Sequence, residues 1–81
     1  MVNMNIKDDD LIKKFGMKVK IERIKKKLSQ EKLAELAGLN KNSIGAIERG
    51  ESSPTLGTIN SIAQVFDMKP CELLDINKIN L

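Results

Sequence analysis

Residues 29–51 read SQEKLAELAGLNKNSIGAIERGE, and helix starts, stops and apolar positions follow one another through them at short spacing. Ser29 carries the short oxygen-bearing side chain that caps a helix N-terminus. Gln30 to Ala37 follow as a short helix, with Leu33, Ala34, Leu36 and Ala37 available for packing. Gly38 stops that helix, because glycine enters the left-handed conformation without a steric penalty. Asn40 is placed to cap the next helix, and Leu39 before it can pack on Ile44 as a hydrophobic staple. Ile44 and Ile47 then face inward, Lys41, Asn42, Gly45 and Arg49 face outward, and Gly50 ends the helix. Ala34, Gly38, Ile44 and Ile47 thus stand where two helices joined by a tight turn need a small residue, a left-handed turn and two locking apolar residues.

Strand signals are nearly absent on either side of this stretch, while 3.6-residue spacings recur. Upstream, the spacing predicts a long helix over Leu11 to Leu28. Leu11 or Ile12, Phe15 and Val19 form one apolar face, and Ile21, Ile24 and Leu28 form a neighbouring stripe; both are expected in the core. Asp8, Asp9 and Asp10 precede it, as acids do at the positive end of a helix. They lack the glycine turn and further oxygen ligands of a calcium loop, so no metal is expected there. Lysines 13, 14, 18, 20, 25, 26 and 27 cover the remaining surface, as a solvated basic face or as an attractor of phosphate. Downstream, GESSPT over 50–55 is a turn by composition, and Leu56, Ile59, Ile62, Ala63 and Phe66 mark a fourth helix with one buried face. Pro70 suits the first turn of a short fifth helix ending near Leu74. The expected architecture is all-α, a five-helix bundle over 11–75, with a flexible segment over 1–10 and a tail over 76–81.

Eighty-one residues and 9.0 kDa fit one small domain, so a single fold must carry the function. Histidine is absent and Cys71 is the one cysteine, which removes internal disulfides, His or Cys zinc sites and Ser-His or Cys-His nucleophilic pairs. No enzyme activity and no cofactor are expected. Tryptophan and tyrosine are absent too, leaving Phe15 and Phe66, too few for stacking single-stranded bases. No apolar run approaches the roughly 18 residues of a membrane span, and nothing resembles a secretory signal, so a cytoplasmic protein is expected. Residues 1–28 hold nine Lys or Arg against four acids, whereas residues 29–81 hold five against seven. The positive field is therefore concentrated in the first third, where an anionic partner would sit. A phosphate-loop reading of GAIERGES fails, because Glu51 stands where the lysine is needed and no strand precedes it.

The stretch SQEKLAELAGLNKNSIGAIERGESSPTLGTINSIAQVFDMKPCELL resembles the helix-turn-helix domain shared by phage repressors, Cro and the Xre-type regulators, and the likeness covers about Phe15 to Leu74. It implies the lambda-repressor-like fold and double-stranded DNA as partner. It also implies an ion pair between Arg23, late in the first helix, and Glu48 in the third. Two departures stand out: Lys27 replaces a glycine usual before the Leu-Ser-Gln sequence, and Ile21 or Ile24 replaces a commonly polar residue, which reads as an enlarged core or as a contact to another protein.

On this likeness helix 3, about 41–49, enters the major groove, with Lys41 directed to guanine acceptors and Asn42 to adenine. Ser43 and Gly45 approach a base or phosphate closely. Gln30 binds a phosphate with its side chain and the adjacent helix amides, and Arg49, Ser52 and Ser53 add backbone contacts. A homodimer on a palindromic operator is expected, its interface drawn from Val65, Met68, Leu74, Ile76 and Ile79, which remain apolar once the inward face of the fourth helix is assigned. No small-molecule ligand and no membrane contact are expected. Glu31 and Glu35 are candidates for touching RNA polymerase in an activator. The likeness extends to controller proteins of restriction-modification systems, with prophage repressors and antitoxins as competing roles. An adaptor that uses the same scaffold without binding DNA is the alternative from another class.

Overall fold

A computed structural model describes residues 8–79. Five helices follow in chain order: α1 (Asp8–Lys25), α2 (Gln30–Ala37), α3 (Ser43–Glu48), α4 (Leu56–Val65) and α5 (Pro70–Leu73). There is no strand among the described residues. The expected flexible segment over 1–10 falls largely on residues outside the described ones, and α1 takes in Asp8, Asp9 and Asp10, which were expected ahead of it. Caps fall where short polar side chains stand. Ser29 Oγ accepts the Lys32 amide at 2.9 Å, Thr55 Oγ1 accepts the Thr58 amide at 3.1 Å, and Glu72 Oε1 accepts the Lys69 amide at 2.8 Å.

Four successive helices end by the same device. One or two residues past each helix the chain takes a left-handed conformation, at Lys27, Gly38, Gly50 and Asp67, with φ of 59°, 71°, 71° and 56°. In each case the next amide reaches back five residues: Leu28 to Arg23 O, Leu39 to Ala34 O, Glu51 to Ala46 O and Met68 to Ala63 O, at 2.8 to 3.1 Å. This ends α1 at Lys25, three residues short of the Leu28 read from the spacing. Glycine takes that conformation freely at two of the four turns, whereas Lys27 and Asp67 hold it with a Cβ present. Lys27→Gly is therefore expected to raise stability by about 1 kcal/mol, read as a higher urea midpoint at unchanged slope.

Eleven residues form the buried core: Phe15 and Val19 of α1, Leu33 and Ala34 of α2, Ile44 and Ile47 of α3, Ile59, Ile62 and Ala63 of α4, Phe66, and Leu73 of α5. Burial of each large side chain stabilises by about 1.5–3 kcal/mol. Helix α3 packs on both α1 and α2, α4 packs on α2 and α5, and α5 also reaches α1. Helix α3 is thus held from behind by two helices. One expectation fails here: Ile24, read as core, is 55% exposed, and Ile21 is only half-buried. Phe15, Val19 and Arg23 take the inward face of α1, and the neighbouring stripe rotates away from it.

Candidate nucleic-acid interface

The first turn of α3 is tighter than an α-helix. Asn40 Oδ1 accepts the Asn42 amide and Asn40 O accepts the Ser43 amide, both at 2.9 Å, so regular α-helix begins at Ser43 rather than at residue 41. The N-cap of α3 is therefore Asn42 and not Asn40 as read from the sequence; Asn40 instead closes a turn ahead of the helix. The side chain of Asn42 makes no capping bond, and Lys41 and Asn42 are both exposed at the leading end of α3. Ser43 is half-buried.

Behind this face lies a charged network. Arg23 Nε and Nη2 donate to Glu48 Oε2 and Oε1 at 2.6 and 3.0 Å, and Arg23 Nη1 donates to Leu28 O at 2.7 Å. The side chains are 12% and 3% exposed. Two parallel N–H···O bonds fix orientation as well as distance. The hydrogen bonds to the Glu48 carboxylate push the Arg23 guanidinium above its already high ordinary pKa, against the opposing effect of burial. One guanidinium thereby ties the end of α1, the turn after it and the body of α3 together.

Gln30 belongs to the same network. Its Nε2 donates to Glu48 Oε1 at 3.0 Å, which orients the amide toward α3. With the Lys32 amide taken by Ser29, the Gln30 and Glu31 amides have no partner among the described residues and mark the positive end of α2. Gly45, expected on the open outward face, is instead buried. A Cβ built there would meet Arg49 Nη1 at 2.9 Å and Gln30 Oε1 at 3.2 Å, so two flexible polar side chains lie across it. Arg49 is held in that position by Glu51, Nε to Oε2 at 3.0 Å, and the same hydrogen bond pushes its guanidinium further up in pKa. Both side chains are well exposed, and such a pair adds little stability and opens readily. Ser52 is half-buried, while Ser53 is exposed in the following turn.

Two positioning features had no reading in the sequence. Gly16 is buried where α1 crosses α3, and a Cβ there would collide with the Ile47 carbonyl oxygen and lie 3.0 Å from that of Glu48. A glycine inside a helix pattern was the available signal. The second is the Glu51 hold on Arg49, which a spacing of two residues across a turn does not announce.

The residues proposed for dimer contact divide. Val65 and Met68 are half-buried against the chain's own core, which removes most of their surface from any partner. Leu74 is 40% exposed, and Ile76 and Ile79 are half-buried. Leu74 also borders an open apolar groove of about 140 Å³ shared with Leu11, Phe15, Pro54 and Ile59. Among the described residues no cluster of His, Cys, Asp or Glu could hold a metal, and no helix is long and apolar enough to cross a membrane.

A short helix carried end-on by α2, capped, turned at Gly38 and locked by Ile44 and Ile47, defines a helix-turn-helix. The helix-turn-helix family profile matches residues 19–73, and the chain belongs to this family, in its Xre-type form, as a transcriptional regulator. Control protein C.BamHI of Bacillus amyloliquefaciens is 39% identical over 66 residues, which are 80% of this chain and 82% of that protein. The cryptic phage CTXphi transcriptional repressor RstR of Vibrio cholerae is 31% identical over 83% of this chain, which spans 60% of the repressor's length. Among solved structures, the restriction-modification controller protein C.AhdI from Aeromonas hydrophila superposes with a TM-score of 0.74 at 42% identity, covering 79% of this chain and 96% of the other.

Proposed function

We propose that the protein binds an inverted-repeat operator in duplex DNA as a homodimer, and that it acts as a restriction-modification controller. The observation that carries the DNA reading is the polar face of α3, with exposed Lys41 and Asn42 at its leading end and Arg49 along it, anchored from behind through Glu48. Lys41 and Asn42 read base edges in the major groove. Ser43 sits close to a base or phosphate, and Gly45 becomes accessible when Arg49 and Gln30 swing toward the DNA. Gln30 offers its second amide hydrogen and the α2 end amides to a phosphate, with Arg49, Ser52 and Ser53 on the backbone beyond. Leu74 and the groove beside it, continued by Ile76 and Ile79, supply the surface for the second copy. The likeness to C.BamHI and C.AhdI favours the controller role over that of a prophage repressor, which the likeness to RstR supports. In activation, Glu31 and Glu35 are the carboxylates offered to RNA polymerase, the exposed pair of Glu35 with Lys32 opening as readily as that of Arg49.

Titration of a labelled duplex of random sequence at low salt tests the DNA reading. Binding is expected, with affinity falling linearly in log–log form as salt rises. Gln30→Ala is expected to weaken binding to all sequences alike, by about threefold to tenfold, as the loss of one phosphate contact does. Absence of binding at low salt would favour the adaptor reading.

A further inference from the structure

We propose that the solvent face of α1 is a docking site for an acidic amphipathic helix of another protein. Met17, Ile21 and Ile24 stand at i, i+4 and i+7 and so share one side of α1. Met17 is 36% exposed, Ile24 is 55% exposed and Ile21 is half-buried. Phe15, Gly16 and Val19 are buried on the other side, where α1 meets α3 and the core, so the stripe faces away from the recognition helix. No element among the described residues covers it.

Charge identifies the occupant. By helical geometry Lys14 and Lys25 border the stripe on one edge of α1, and Lys20 on the other. Glu22 is the sole acid between residues 11 and 28, against eight cationic residues, and it already pairs with Lys18 and Lys25 at 3.6 and 3.4 Å. Lys14 and Lys20 make no ion pair among the described residues. An apolar centre with a basic rim is complementary to a helix with apolar anchors at the same spacing and flanking carboxylates. DNA phosphates would use the lysines but have no use for the three apolar side chains. A bilayer would need deeper apolar surface than a half-buried Ile21 and a one-third exposed Met17 provide. Contact over three side chains and a lysine rim makes a small interface, so weak and salt-sensitive binding is expected.

The probe is a synthetic helix with leucine at i, i+4 and i+7 and glutamate elsewhere on its surface. The control is a peptide of the same composition with its leucines scattered. Added to the isotope-labelled full chain, the patterned peptide is expected to move the amide resonances of Met17, Ile21 and Ile24. Ile24→Glu and Met17→Glu are each expected to weaken it by about tenfold, in line with loss of a central interface anchor. Both positions lie on the surface, so the melting temperature stays as in the native chain. The proposal is overturned if the patterned peptide does not bind, if the scattered peptide binds as well, or if the shifts fall on α2 and α3. It is equally overturned if Ile24→Glu leaves the affinity unchanged, or if phosphatidylserine vesicles capture the protein while the peptide does not.

Discussion

Glu48→Ala is expected to lower the stability by about 2–3 kcal/mol, at or below the low end of the range for removing one partner of a buried ion pair, because this pair is only partly buried. The loss has three parts. Arg23 remains largely enclosed and keeps only its bond to Leu28 O; the Glu48 contacts that fasten α3 to α1 vanish; and Gln30 Nε2 loses its acceptor. Because the Arg23 side chain is 12% exposed, water reaches part of the stranded guanidinium and keeps the effect from the upper end of the range. Glu48→Gln is the informative companion, since it keeps an acceptor oxygen for Arg23 while removing the charge. Urea unfolding should place it between the native chain and Glu48→Ala. If Glu48→Ala unfolds at the native midpoint, the network does not hold α3.

Gly16→Ala is expected to cost about 2 kcal/mol, and two opposing effects set that figure. Alanine is the better helix former by about 1 kcal/mol. Against this, the new methyl is driven into the backbone carbonyls of Ile47 and Glu48, which cannot rotate aside as a side chain would, and overpacking of this sort costs about 1–3 kcal/mol or more. The backbone clash wins because α1 and α3 must move apart. That separation also stretches Arg23 from Glu48, so duplex affinity should fall along with the thermal midpoint. A melting temperature equal to or above the native value would show that the two helices do not cross at Gly16.

Local chemistry carried most of the architecture. Ser29, Gly38, Gly50 and Pro70 mark helix starts and stops through their own side chains or lack of them, and the structure puts boundaries at each. The α1 terminus was misread by three residues because a lysine occupies a left-handed position, and no pattern of apolar residues signals that. Periodicity also gave α1 two adjacent apolar stripes without saying which is buried; the answer depends on where α3 crosses, a long-range fact. Gly45 illustrates the same limit. Its outward position on α3 is visible in the spacing, but its cover by Gln30 and Arg49 arises from side chains 15 residues before and four after it. Arg23 and Glu48 were paired only through resemblance to a family, since nothing local joins residues 25 apart. Their bidentate geometry, and the Gln30 amide attached to it, belong to the folded chain alone.

We propose that α3 lies in the major groove and reads bases through its leading end, in two copies related by a two-fold axis. Selection of binding sites from a random duplex pool, done for the native chain and for Asn42→Ala, tests it most directly. The native chain should select an inverted repeat whose half-sites lie about 34 Å apart, one helical turn. Asn42→Ala should lose about 1–3 kcal/mol on that site and relax preference at one position in each half, while its binding to random duplex hardly changes. A selected site without inverted symmetry, or an unchanged sequence preference in the variant, would contradict this placement of α3.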